Sequence, residues 1–75
     1  MTRLPVVTAD QLCRTARSLG FVLHRQKGSH AVYYRESDLA RIVIPMHAGK
    51  AIKPKTLLGI LDDMATTVEE LRRLL

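Results

Sequence analysis

The sequence predicts an α+β fold: a helix, a three-stranded antiparallel sheet, a second helix and a short final helix. Three observations predict it. Apolar residues recur at helical spacing near both ends of the chain, behind capping residues. Three short runs of strand-forming residues lie between them. The turns separating those runs are too short for crossover connections, so the strands form an antiparallel meander.

The elements follow in order. Thr8-Ala9-Asp10-Gln11 is a capping box, with Thr8 as N-cap and Gln11 at N3. Val7 and Leu12 stand at the positions of a hydrophobic staple. Leu12, Ala16 and Leu19 make one apolar stripe with Cys13 alongside, and Gly20 is a stop, so the first helix covers residues 9–19. Residues 21–26 read as the first strand, bounded by glycine. Lys27-Gly28-Ser29 is turn chemistry, and His30 to Arg35 is the second strand. After Glu36-Ser37-Asp38, the run Arg41-Ile42-Val43-Ile44 is the third strand, ended by Pro45. A loop then leads to Pro54, which suits the first turn of a helix carrying Leu57, Ile60, Leu61 and Met64. Thr66 and Thr67 each precede a glutamate by three residues and restart the chain as a short helix with Val68, Leu71, Leu74 and Leu75.

The face that His30 occupies depends on the hairpin. A two-residue loop of Lys27 and Gly28 pairs Arg25 with His30 and gathers Phe21, Leu23, Val32 and Tyr34 on one face. A three-residue loop pairs Gln26 with His30 and places Val22 and His24 there instead. A shift of one residue inverts one strand relative to the other. The first option collects more large apolar groups and puts His30 at the rim of the core face.

At 75 residues the chain has room for one domain, residues 1–75, with a stability of about 3–5 kcal/mol. Its apolar content of 47% and charged content of 25% are ordinary for a globular protein and argue against disorder. No apolar run reaches the roughly 18 residues that span a bilayer, and Asp10 and Gln11 interrupt any signal-peptide core. The single Cys13 excludes an internal disulfide and a cysteine-only zinc site. The expectation is a cytoplasmic protein without a membrane partner.

Charge is uneven. Residues 21–55 hold seven of the 12 basic groups (Arg25, Lys27, Arg35, Arg41, Lys50, Lys53, Lys55) against only Glu36 and Asp38. Such a block suits a polyanion such as nucleic acid, or serves as a solubilising surface. The helix beginning at Pro54 is charged against its dipole, with Lys50, Lys53 and Lys55 at its start and Asp62 and Asp63 towards its end. Each misplaced exposed charge costs about 0.3–1 kcal/mol. A bound phosphate reverses that sign, whereas lysines pointing into water leave it as it is.

None of the three histidines, His24, His30 and His47, has the spacing of a metal pair, so neither a metal nor any other cofactor is expected. His30 follows Gly28-Ser29 at the start of a strand. A histidine there can take a proton from a ribose 2′-hydroxyl, with nearby lysines stabilising the charge on phosphorus; equally, it can be an ordinary strand residue. Ser29 adjoins His30, and neighbours on a strand point to opposite faces, which argues against a serine nucleophile. Cys13, on the apolar stripe, reads as a buried inert thiol. Tyr33 and Tyr34 suit base stacking or packing.

Four elements together resemble the HicA toxins, also called YcfA-type proteins. They are Gly20-Phe21, the hairpin Arg25-Gln26-Lys27-Gly28-Ser29-His30, the strand end Ile44-Pro45-Met46-His47 with Lys50, and the helix start Lys55-Thr56-Leu57-Leu58-Gly59-Ile60-Leu61. The resemblance implies a double-stranded-RNA-binding-like fold. It implies the toxin of a type II toxin–antitoxin pair: a small ribonuclease that cleaves mRNA and is held inactive by a HicB-type antitoxin in a hetero-oligomer. The family's catalytic histidine falls on His30, with Gly28 and Ser29 shaping the turn before it. The second histidine falls on His47. Arg25, Lys27, Lys50, Lys53 and Lys55 are the RNA-binding candidates. The sequence departs from the family at Met64-Ala65-Thr66-Thr67, where Ala-Gly-Leu-Ser is common, and at the acidic pair Asp62-Asp63. Two other readings stand beside the nuclease: a non-catalytic RNA-binding module, and a protein-interaction domain whose basic face meets an acidic partner.

Overall fold

The caps set the helices. In the computed structural model, which describes residues 3–75, Thr8 accepts a hydrogen bond from the Gln11 amide while its own amide donates to the Gln11 side chain, and α1 (Ala9–Ser18) begins there. Val7 and Leu12, the staple pair, are fully buried in the same core. The chain continues through β1 (Val22–Lys27), β2 (His30–Arg35), β3 (Ala40–Pro45), α2 (Pro54–Asp63) and α3 (Val68–Leu74). The α+β order α-β-β-β-α, followed by a short helix, is the one expected. Pro54 opens α2, and Thr67 caps α3 by accepting from the Glu70 amide at 3.1 Å.

The strands form one antiparallel sheet in the order β1-β2-β3. One of its faces packs on the helices. Ala31 and Tyr33 of β2 and Ile42 and Ile44 of β3 meet Leu12, Ala16, Leu57, Ile60 and Leu61 in a single buried cluster. Cys13 is buried there and donates to the Met46 sulfur at 3.7 Å. Arg17 donates to the Tyr33 hydroxyl at 3.3 Å. Burial, with Cys13 beside it, raises the Tyr33 pKa above the ordinary phenol value, and Arg17 pulls weakly the other way.

The hairpin corrects the expected register. The loop is Gly28-Ser29, and Lys27, rather than Arg25 or Gln26, pairs with His30. Gly28 has φ +58 and stands first in a two-residue loop, the position at which a type II′ turn requires glycine. A bulge follows at His24, which lies unpaired between Leu23 (opposite Tyr33) and Arg25 (opposite Val32). As a result Val32 and Tyr34 turn away from the helices, and so does His30, which leaves the rim of the core face for the opposite side. The alternation was ambiguous because β2 carries apolar residues on both sides. The alternation of β3 decides it, since Ala31 pairs with Ile44 and Tyr33 with Ile42.

Arg35 belongs to the interior, although it falls within the basic block. Its guanidinium donates to the carbonyls of Leu19 at 2.9 Å and Met64 at 3.1 Å, the C-caps of α1 and α2. It also grips Asp38 at 2.8–2.9 Å and lies 4.4 Å from the centre of the Phe21 ring. One cation thereby satisfies two helix ends at their negative poles. The neighbouring Gly20, at φ +92, leaves room for it: a Cβ there would sit 3.3 Å from the Arg35 side chain. Among the described residues, no helix is long and apolar enough to cross a membrane.

Candidate functional site

The outer face of the sheet is built from three cross-strand rows. Lys27, His30 and Pro45 form the first, nearest the hairpin. Arg25, Val32 and Val43 form the second, and Val22, Tyr34 and Arg41 the third. His30 is exposed on this face. It lines an open depression of about 500 Å³ with Arg25, Lys27, Gly28, Ser29, Val32, Arg41 and Val43. The lining has three cations besides the imidazole and no carboxylate. None of His30, Arg25, Lys27 and Arg41 makes a side-chain hydrogen bond or ion pair to another described residue. They face the opening as unpaired donors.

The lysine cluster forms a second depression. Pro45, His47, Lys50, Ala51, Lys53 and Thr56 line it. Its loop is pinned on two sides. The Ile52 amide donates to the Val7 carbonyl at 2.8 Å, and the Met46 amide donates to the Ser29 carbonyl at 2.6 Å. Lys53 is the N-cap of α2 with no side-chain cap, and the first turn of that helix holds no acid. The reversed charge pattern of the sequence is therefore present at a free helix start. Lys55 is exposed on the first turn but does not line the depression.

The sequence expectation placed His30 within the lysine cluster. The structure divides those residues. His30 keeps company with Arg25, Lys27 and Arg41, while His47 sits with Lys50 and Lys53. The two depressions are neighbours across the strands, since Pro45, which lines the second, pairs in register with His30, which lines the first. Arg41 was missed as a site residue. Its signal was the alternation of β3, where burial of Ile42 and Ile44 forces Arg41 and Val43 outward. Gly28 and Ser29 hold the place expected of them, forming the turn immediately before His30.

The family model for the HicA toxin of bacterial toxin–antitoxin systems matches residues 9–65. The chain belongs to the HicA toxin family. The match runs from the first residue of α1 to the residue after the C-cap of α2, so it includes both depressions and leaves out α3. No curated protein matches the chain. Membership makes it a toxin of a toxin–antitoxin pair. It also gives the departure at Ala65 a structural meaning. Ala65 has φ +55, a left-handed conformation that glycine takes at no steric cost and that alanine adopts under strain.

Proposed function

We propose that this toxin is a metal-independent endoribonuclease that cleaves mRNA in the cytoplasm, as one HicA-like domain over residues 1–75. The observation that carries the reading is the exposed imidazole of His30, placed directly after a glycine turn among Arg25, Lys27 and Arg41, with no carboxylate lining the depression. His30 takes the proton from a ribose 2′-hydroxyl. The freed oxygen attacks the adjacent phosphorus as the P–O5′ bond breaks, the departing 5′-oxygen takes a proton from water, and a 2′,3′-cyclic phosphate remains. Arg25, Lys27 and Arg41 stabilise the negative charge that grows on the phosphoryl oxygens. Lys50 and Lys53, with Lys55 behind them, hold the backbone of the same strand beyond Pro45, and His47 lies among them. A HicB-type antitoxin silences the enzyme by covering this basic surface.

The test is cleavage of RNA by the purified His30→Ala chain in the presence of a chelator. The unmodified chain keeps its activity in the chelator. The variant loses cleavage by about 10²–10⁴-fold, the span of a general base. Its melting temperature is unchanged, because His30 lies outside the core. Retained cleavage by the variant removes His30 from its role. Loss of wild-type activity in the chelator removes metal independence. Intact RNA binding without any cleavage by the unmodified chain selects the non-catalytic module instead.

A further inference from the structure

We infer that the outer sheet face takes its RNA as a single strand, with Tyr34 stacking on a base a few nucleotides from the scissile phosphate. The inference rests on the nuclease reading above and adds the form of the substrate and a residue that selects it.

The chain has only three aromatic residues, Phe21, Tyr33 and Tyr34. Phe21 and Tyr33 are sealed in the core at 2% and 3% exposure, while Tyr34 is 37% exposed. Tyr34 lies on the same strand and the same face as His30, four residues on. At roughly 3.3 Å per residue that is about 13 Å. A stacked strand covers this distance in about four nucleotides at roughly 3.4 Å each, and an extended strand in fewer.

The path between the two side chains is open and basic. Val32 and Arg41 line both the depression around His30 and a smaller one formed with His24 and Tyr34, so the two depressions share a wall. Neither is lined by a carboxylate. The β1 bulge contributes directly. Consecutive residues of a regular strand face opposite ways, yet His24 and Arg25 both line this surface, because His24 is the unpaired extra residue.

An exposed ring beside an apolar floor, flanked by arginines, matches the two halves of an unpaired nucleotide. A base stacks on Tyr34, and phosphates meet Arg25 and Arg41. A duplex cannot use the ring, since its bases are covered by their neighbours, and its shape is read through grooves and backbone instead. The platform therefore separates single strands from double strands.

The test measures binding of a 2′-O-methylated single-stranded oligonucleotide of about eight nucleotides carrying 2-aminopurine. This probe has no free 2′-hydroxyl, so binding is read whichever residue drives cleavage, and a failure of the His30 assignment stays separate from a failure here. The full chain quenches the fluorophore on binding. Tyr34→Ala weakens binding by roughly 5- to 150-fold and loses the quenching, whereas Tyr34→Phe keeps both, because stacking needs the ring and not the hydroxyl. The matching duplex binds more weakly and is indifferent to Tyr34. Unchanged binding by Tyr34→Ala, or a duplex held as tightly as the single strand, overturns the inference. So does a Tyr34→Ala chain that binds RNA normally but no longer binds its antitoxin, which assigns the ring to the protein partner.

Discussion

The two faces of one strand divide the labour of this protein. On the inner side of β2, Ala31, Tyr33 and Arg35 are committed to structure. The Tyr33 hydroxyl accepts from Arg17, and the Arg35 guanidinium reaches two helix ends, a carboxylate and a ring. On the outer side, His30, Val32 and Tyr34 line surface depressions, and neither polar side chain among them bonds to another described residue. Two tyrosines stand side by side in the sequence, and so do Tyr34 and Arg35. Each neighbour has the opposite fate. Residue type alone therefore says little about function here, and the side of the pleat says a great deal.

The contrast is sharpest at the tyrosines. Tyr33→Ala opens the core and costs about 3–5 kcal/mol, comparable to the whole stability expected of a chain this size. Tyr34→Ala, at a half-exposed position outside the core cluster, costs about 1 kcal/mol from strand propensity and lost cross-strand contacts. Urea unfolding of the two variants measures the difference, and equal losses would erase the distinction between the faces. Arg35→Gln follows, with a loss of about 2–4 kcal/mol from its charged hydrogen bonds and its seat over Phe21. A thermal scan reads that loss, and Arg41→Gln on the outer face serves as its near-neutral control.

Part of the Arg35 effect depends on pH. The guanidinium holds the Asp38 carboxyl below its ordinary value of 3.8, chiefly through the hydrogen bonds between them. The folded state therefore binds this proton less readily than the unfolded chain does. Its contribution is present above the ordinary carboxyl range and disappears as pH falls through the lowered value. Asp38→Asn should accordingly melt below the parent chain at neutral pH and converge with it in strong acid. The smallest expected effect has the opposite sign. Ala65→Gly relieves a left-handed alanine beside the Met64 carbonyl that Arg35 grips, and should raise stability by about 0.5–1 kcal/mol, seen as a higher denaturation midpoint.

Most of the fold was legible because its signals are local. Thr8 with Gln11, Pro54, and Thr67 with Glu70 announce the helices from neighbouring residues alone, and the strand limits follow from glycine, proline and polar turns. The register was not legible, because Gly28 suits more than one loop and β2 is apolar on both sides. The bulge at His24 has no sequence signature of its own. For the candidate site, the turn before His30 could be read, and so could the reversed charge of α2. Their spatial relation could not. Three lysines and a histidine far apart in sequence looked like one cradle. The sheet instead gives His30 to Arg25, Lys27 and Arg41 and leaves His47 with Lys50 and Lys53, and Arg35 was counted with the basic block although, besides nearby Asp38, its partners are carbonyls distant in sequence.

The irregularity at His24 also bears on solubility. β1 is an edge strand exposed along its whole length, with one row of backbone donors and acceptors open to any passing chain. A flat edge of that kind invites copies to zip together. The kink spoils the fit of an incoming strand, and the cations at Arg25 and Lys27 repel a second copy that presents the same edge. The same distortion that brings His24 onto the outer face with Arg25 thus also guards the open edge against pairing with another copy.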